Sequence, residues 1–177
     1  MPVPPIDGNA AATERAMAIE RVVVREIAMQ LVAPFDTATS TTRDRRIVLI
    51  EMHDDAGHTG WGECVATETA HYSPETVDTA WDIITGVLAP LACDRLHTRM
   101  TDLGSAIVRS APAAPMARAA IEMAAWDLLA RSSAVSLSSL LGGVRSVVET
   151  GVVLGMHGSL DDLARKVIIR RFCYLPL

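Results

Sequence analysis

The sequence predicts an α+β domain: three strands in an antiparallel meander, about three helices after them, then the start of a further strand–helix unit. Three observations carry this. Three β-branched or alternating runs fall within residues 19–66. The hydrophobic spacing then changes from two to about 3.6. A lone apolar stretch, residues 147–154, follows the last helical segment. Strands grouped before helices, rather than alternating with them, belong to segregated α+β layering.

The first strand is expected over 19–31, where Val22, Val23 and Val24 lead into an alternation through Ile27, Met29 and Leu31. RIVLIEM (46–52) and GWGECVA (60–66) are the second and third. DDAGHT joins these two, and its Asp54, Asp55 and Gly57 are hairpin-turn residues. The connection before the second strand, PFDTATSTTRD, is long and without a regular pattern. Loops of that length are more often functional than accidental.

A helix start is expected at Ser73-Pro74-Glu75-Thr76: a serine cap, a proline at the first helical position and an acid in the first turn. Val77, Trp81, Ile84, Leu88 and Leu91 continue it until Pro90 breaks the pattern. Leu96, Met100, Leu103 and Ile107 mark a second helix, and MARAAIEMAAWDLLAR (116–131) a third. LSSLLGG reads as one helical turn closed by a glycine. The Pro-, Ala- and Gly-rich residues 1–16 read as a disordered extension, and Met17 is an alternative start. No internal repeat is visible.

At 177 residues, the chain is long enough for one ordinary domain with a sizeable core. No apolar run approaches the ~18 residues of a membrane span. The formal net charge of −5, with no basic tract, speaks against nucleic acid and anionic membranes as partners. Cys64, Cys93 and Cys173 are odd in number and widely spaced, without a CxxC pair, which fits a reducing cytoplasm.

Few residues suggest chemistry. HDDAGH (53–58) has metal-binding residue types, but a tight solvated turn needs the same Asp and Gly. Glu63 is either a buried base or a strand-end acid accepting loop hydrogen bonds. Glu122 and Asp127, five apart on a helix, diverge by about 140° and cannot converge as an acid/base pair. Hydrogen bonding across an inter-domain seam is the expected role for them. Cys64 reads as a small buried residue. His71 and Tyr72 either contact a ligand or staple the helix entry. No phosphate-loop spacing is present, and no catalytic constellation assembles from these residues.

Taken in order, LVAPFDTATSTTRDR, VLIEMHDDAGHTGWGEC, YSPETVDTAW, MARAAIEMAAWDLLAR, LSSLLGG and TGVVLGM resemble successive landmarks of the enolase superfamily. They are most similar to the o-succinylbenzoate synthase / N-acylamino acid racemase branch of its muconate-lactonizing subgroup. The resemblance runs from Met17 to Lys166. It implies an N-terminal capping domain over 17–145, followed at 146–166 by the first βα unit of an incomplete (β/α) barrel. Two capping loops would shape the substrate pocket, here 34–42 and 64–73. Their substrate-loop candidates are Phe35, Thr37, Thr39, His71 and Tyr72, and Met156 is the barrel-mouth candidate. Ala38 and Thr39 depart from the family's usual first-loop pattern. Ala134 and Ser136 replace its usual Gly and Pro, the serine being itself a good helix cap.

The implied chemistry is Mg²⁺-assisted abstraction of a proton α to the carboxylate of a small substrate. Lysines serve as acid and base, in dehydration on the route to menaquinone or in racemisation. Those lysines and the metal-binding acids come from later barrel strands, and a barrel takes about 250 residues. After Gly143 only about thirty residues follow. Lys166 falls in a helical pattern and is not assigned catalysis. Residues 167–177, VIIRRFCYLPL, contain no acid and no alanine and read as a non-family tail. The expectation is a truncated homologue without catalytic or metal-binding residues of its own, inactive alone and prone to self-association. The capping half of a split enzyme, completed by a missing barrel half, and a non-catalytic interaction module are the alternatives.

Overall fold

The computed structural model describes residues 16–70, 73–94, 99–151 and 153–172. Residues 1–15 and 173–177, at the two expected irregular ends, and the helix residue Leu96 lie outside the described residues. The chain divides into two compact units: 1–28 with 46–144, and 29–45 with 145–177.

Three strands, β1 (Ile19–Asp36), β2 (Thr41–Asp54) and β3 (Thr59–Cys64), form an antiparallel sheet in the order β1-β2-β3. Val48 pairs with Cys64, Ile50 with Gly62 and Met52 with Gly60, so these six share one face. Val48, Ile50 and Met52 are fully buried there, while Leu49, Glu51 and His53 lie half-buried on the other face. The β2–β3 connection is the tight turn that the sequence predicts. Gly57 takes φ +89°, and the Asp54 carboxylate accepts the Ala56 and His58 N–H groups at 3.1 and 2.7 Å. Its other oxygen meets His58 Nδ1 at 2.8 Å. Burial alone would push the Asp54 carboxyl up. The bonds from His58 and Ala56 outweigh it and hold the group below the usual carboxylate range.

The first helix starts later than the sequence suggests. α1 (Val77–Ile83) is capped by Thr76, whose hydroxyl accepts the Thr79 N–H while the Thr79 hydroxyl accepts the Thr76 N–H. Among the described residues Ser73 accepts just the Glu75 N–H, at 3.3 Å. Pro90 does not end the helix either. A π-helical turn (Ile84–Leu88) connects α1 to α2 (Ala89–Ala92), with the Ala89 N–H reaching back to the Ile84 carbonyl. Proline has no N–H and its ring would collide with the carbonyl four residues back; the widened turn immediately before Pro90 accommodates it.

α3 (Met100–Ser110) buries Met100, Leu103 and Ile107, and α4 (Pro115–Ser132) packs its Ala120, Ala124 and Leu128 onto β3. A methyl group at Gly60 would overlap the Ala124 carbonyl and the Leu128 amide. One at Gly62 would overlap the Ala120 carbonyl. GWGE thus contains two glycines that let a helix backbone rest on a strand backbone. Between them, the edge-strand N–H of Trp61 donates to Asp127 Oδ2 at 2.9 Å. α5 (Leu137–Leu140) is the predicted single turn, capped by Ser136 and followed by Gly142 at φ +76°.

In the second unit the expected eleven-residue loop shrinks to a four-residue turn, 37–40, because both strands run further than their apolar patterns. β1 is an edge strand, so Pro34 fits without removing an interior ladder bond. The described residues of 147–154, expected as a strand, pair with no sheet. A parallel strand of this apolar kind depends on neighbours that cover both faces; here Val147, Val148 and Val153 are 78%, 71% and 79% exposed. The helix after it does form. α6 (Leu160–Phe172) is capped by Ser159, whose hydroxyl accepts the Asp162 N–H at 3.1 Å, and it passes through Lys166 and Val167 without a break.

Candidate functional site

The 34–42 loop is built around two residues. Thr37 Oγ1 accepts the Ser40 N–H at 3.0 Å and donates to the Ser40 carbonyl at 3.1 Å, while the Thr37 N–H reaches that carbonyl at 2.8 Å. The Thr39 N–H points to the same hydroxyl at 3.4 Å. Thr37 therefore closes the turn on itself, and its hydroxyl is engaged inside the loop. Asp36 ties the loop outward. Its carboxylate accepts the Thr41 hydroxyl at 2.6 Å and its carbonyl accepts the Met156 N–H at 2.8 Å. The Phe35 ring lies beside Gly155. Three residues expected to matter, Phe35, Thr37 and Met156, are thus gathered by one that sequence reasoning did not single out. In the sequence Asp36 lies inside the expected loop, and nothing there singled it out.

The 64–73 loop is anchored at its base in the first unit. The Val77 N–H donates to the Thr67 carbonyl at 3.0 Å, and Thr67 forms a parallel bridge to Thr76. Cys64 and Ala66 are buried, and burial pushes the Cys64 thiol up, leaving it an unreactive packing residue. Glu75 is 4% exposed. Its carboxylate accepts the N–H groups of Met116 and Ala117 at 2.8 and 3.1 Å, satisfying the start of α4, whose own N-cap residue is Ala114. The acid that reads as a first-turn residue of α1 is in fact the cap of a different helix. His71 and Tyr72 lie outside the described residues.

The remaining candidates disperse. Glu63 is exposed on β3, so it is not a buried base. Asp127 does serve structure, accepting from Trp61 and from Arg131 Nε at 2.8 Å, but it joins α4 to β3 within one unit rather than bridging an inter-domain seam. Glu122 lies over Gly104 on the flank of α3. Asp54 and His58 are spent on each other. Among the described residues, no three His, Cys, Asp or Glu side chains converge in a way that would hold a metal ion.

The chain matches the family described as "Mandelate racemase / muconate lactonizing enzyme, N-terminal domain" over residues 18–142. It is 38% identical over 160 residues to an o-succinylbenzoate synthase of Geobacillus stearothermophilus, covering 89% of this chain and 41% of that protein. It is 33% identical over 150 residues to an N-succinylamino acid racemase of Amycolatopsis sp., covering 83% and 39%. A crystal structure of an unknown enolase-superfamily member from Enterococcus faecalis V583 superposes with a TM-score of 0.74 at 29% identity, covering 89% and 42%. This chain spans about 40% of the length of the curated relatives it matches. The three-stranded sheet followed by helices and the match over 18–142 agree: the chain belongs to the mandelate racemase / muconate lactonizing enzyme family of the enolase superfamily, through that family's N-terminal capping domain.

Proposed function

We propose that this chain supplies the substrate-shaping half of an enzyme that abstracts a proton α to the carboxylate of a small substrate. The enzyme is of the o-succinylbenzoate synthase / N-acylamino acid racemase kind. Phe35, Thr39 and Met156 are its contacts to substrate, and Thr37 holds the loop's form. The chain by itself turns nothing over. One observation carries that point: its single lysine is Lys166, exposed on α6, whereas the resemblance implies lysines as both acid and base, and a general acid or base must stand within hydrogen-bond reach of the proton it moves. The metal and the proton-transfer groups come from a barrel portion outside these 177 residues.

The test pairs two measurements. The purified chain, given Mg²⁺ and an N-succinylamino acid, is expected to show no racemisation by polarimetry; chelator-sensitive turnover would overturn its assignment as non-catalytic. Mixed with a separately expressed barrel portion of the Geobacillus stearothermophilus relative, it is expected to restore turnover that neither part shows alone. Loss of that restoration would favour a non-catalytic interaction module.

Among the described residues no helix is long and apolar enough to cross a membrane, and the reaction's small charged substrates suit the cytoplasm. Exposed Val147, Val148 and Val153 are expected to drive self-association of the isolated chain. Light scattering should show species larger than 19.0 kDa. A stable monomer at micromolar concentration would refute this.

A further inference from the structure

We propose that Gly155 is a positioning residue, whose missing side chain lets the 155–156 backbone latch Asp36 and fix the head of the 34–42 loop. The substrate-facing consequence rests on the function proposed above; the latch itself does not. A Cβ built on Gly155 would lie 2.7 Å from the Asp36 carbonyl oxygen, 3.3 Å from its nitrogen and 3.3 Å from the Phe35 ring. The nearest of these is backbone, which cannot swing aside as a long side chain does. The same carbonyl accepts the Met156 N–H at 2.8 Å. Any side chain at position 155 therefore pushes away the acceptor on which the neighbouring amide depends.

The geometry of the turn makes this one contact consequential. Residues 37–40 are closed by the Thr37 hydroxyl and by the Thr37 N–H to the Ser40 carbonyl. Asp36 also holds the other limb, through Thr41. A segment stitched together internally moves as one body, so displacing Asp36 carries Phe35 and Thr39 with it. No residue of this unit whose burial is described is buried, so no described core resists the movement. Steric intolerance at 155 thereby becomes control over where the candidate substrate contacts stand.

Two other glycines of the same segment provide matched controls: a Cβ at Gly151 or at Gly158 meets nothing within 4 Å. In the full chain, Gly155→Ala is expected to speed hydrogen exchange at the Met156 amide about tenfold, the scale of one lost hydrogen bond. Gly151→Ala and Gly158→Ala should leave that amide unchanged. Met156 exchange equal to wild type in Gly155→Ala would overturn the latch. In the chain paired with the barrel portion, Gly155→Ala should raise KM about tenfold while kcat stays within about twofold, because a misplaced loop weakens substrate binding without touching the proton-transfer groups. An unchanged KM, or an equal fall in kcat, would overturn the positioning role. Absence of turnover in the wild-type pair would instead overturn the proposed function, and the exchange result would still decide the latch.

Discussion

The two units solve the problem of holding shape in different ways. Every side chain described as buried and apolar, from Met17 to Leu140, belongs to the first unit, whereas no residue of the second whose burial is described is buried. Both nevertheless contain a glycine pressed against backbone. In the first unit, Gly60 and Gly62 sit under α4 in a dry layer with Val48, Ile50 and Met52. In the second, Gly155 faces a strand end that only hydrogen bonds and local contacts hold. Close approach within a core is enforced from all sides; close approach without one is a contact that can be given up. The same substitution should therefore unfold one region and merely loosen the other.

That contrast predicts the largest effect. Gly62→Ala would force β3 and α4 apart along Ala120 and Ala124. It is expected to cost at least about 3 kcal/mol, the upper range for overpacking a rigid core. A denaturant melt followed by tryptophan fluorescence reads the loss, since Trp61 and Trp81 both lie in this unit. Gly155→Ala in the same assay should stay within about 0.5 kcal/mol of wild type, because its neighbours can yield. Equal losses at the two positions would erase the distinction between the units.

A smaller effect is expected where the first unit uses a buried charge. Glu75→Ala strands the Met116 and Ala117 N–H groups at the start of α4 and should cost about 2 kcal/mol. Glu75→Gln keeps one acceptor oxygen and should recover about half of that, since hydrogen bonds to a charged acceptor are roughly twice as strong as neutral ones. If glutamine were as damaging as alanine, specific packing rather than capping would be the main contribution of Glu75.

Periodicity was enough to place the three strands and the helices of the first unit, because hydrophobic burial there follows the repeat of each element; the β2–β3 turn was legible instead in its residue types, Asp54, Asp55 and Gly57. It failed where the determining interaction is distant in sequence. Glu75 reads locally as a first-turn acid, yet its partners are about forty residues on, at Met116 and Ala117. β1 and β2 were read too short because 32–36 and 41–45 bury little and so show no alternation, although they pair. The stretch 147–154 was read as a strand because apolar runs look alike whether or not a neighbour exists to pair with. The first candidate loop was legible as a place, through PFDTATSTTRD. Its organisation was not, since the contact to Met156 runs through the Asp36 backbone carbonyl and Gly155 acts through an absent side chain, and neither leaves a pattern in residue type.

The smallest predicted effect is a gain, at the C-terminal end of α4. α4 ends with the Val135 N–H bonded to the Ala130 carbonyl at 3.1 Å and the Ala134 N–H bonded to the Arg131 carbonyl at 3.0 Å. This is the paired closure that places the intervening residue in the left-handed region. That residue is Ala134, at φ +54°. An L-residue pays about 1–2 kcal/mol for that conformation, and glycine would avoid it while losing about 0.5–1 kcal/mol of extra unfolded-state freedom. The first quantity is the larger, so Ala134→Gly should stabilise the chain by about 0.5–1 kcal/mol and raise Tm by a few degrees. A destabilised Ala134→Gly would mean that the alanine methyl makes packing contacts worth more than the strain. The helix end would then be held by its side chains rather than by its backbone closure.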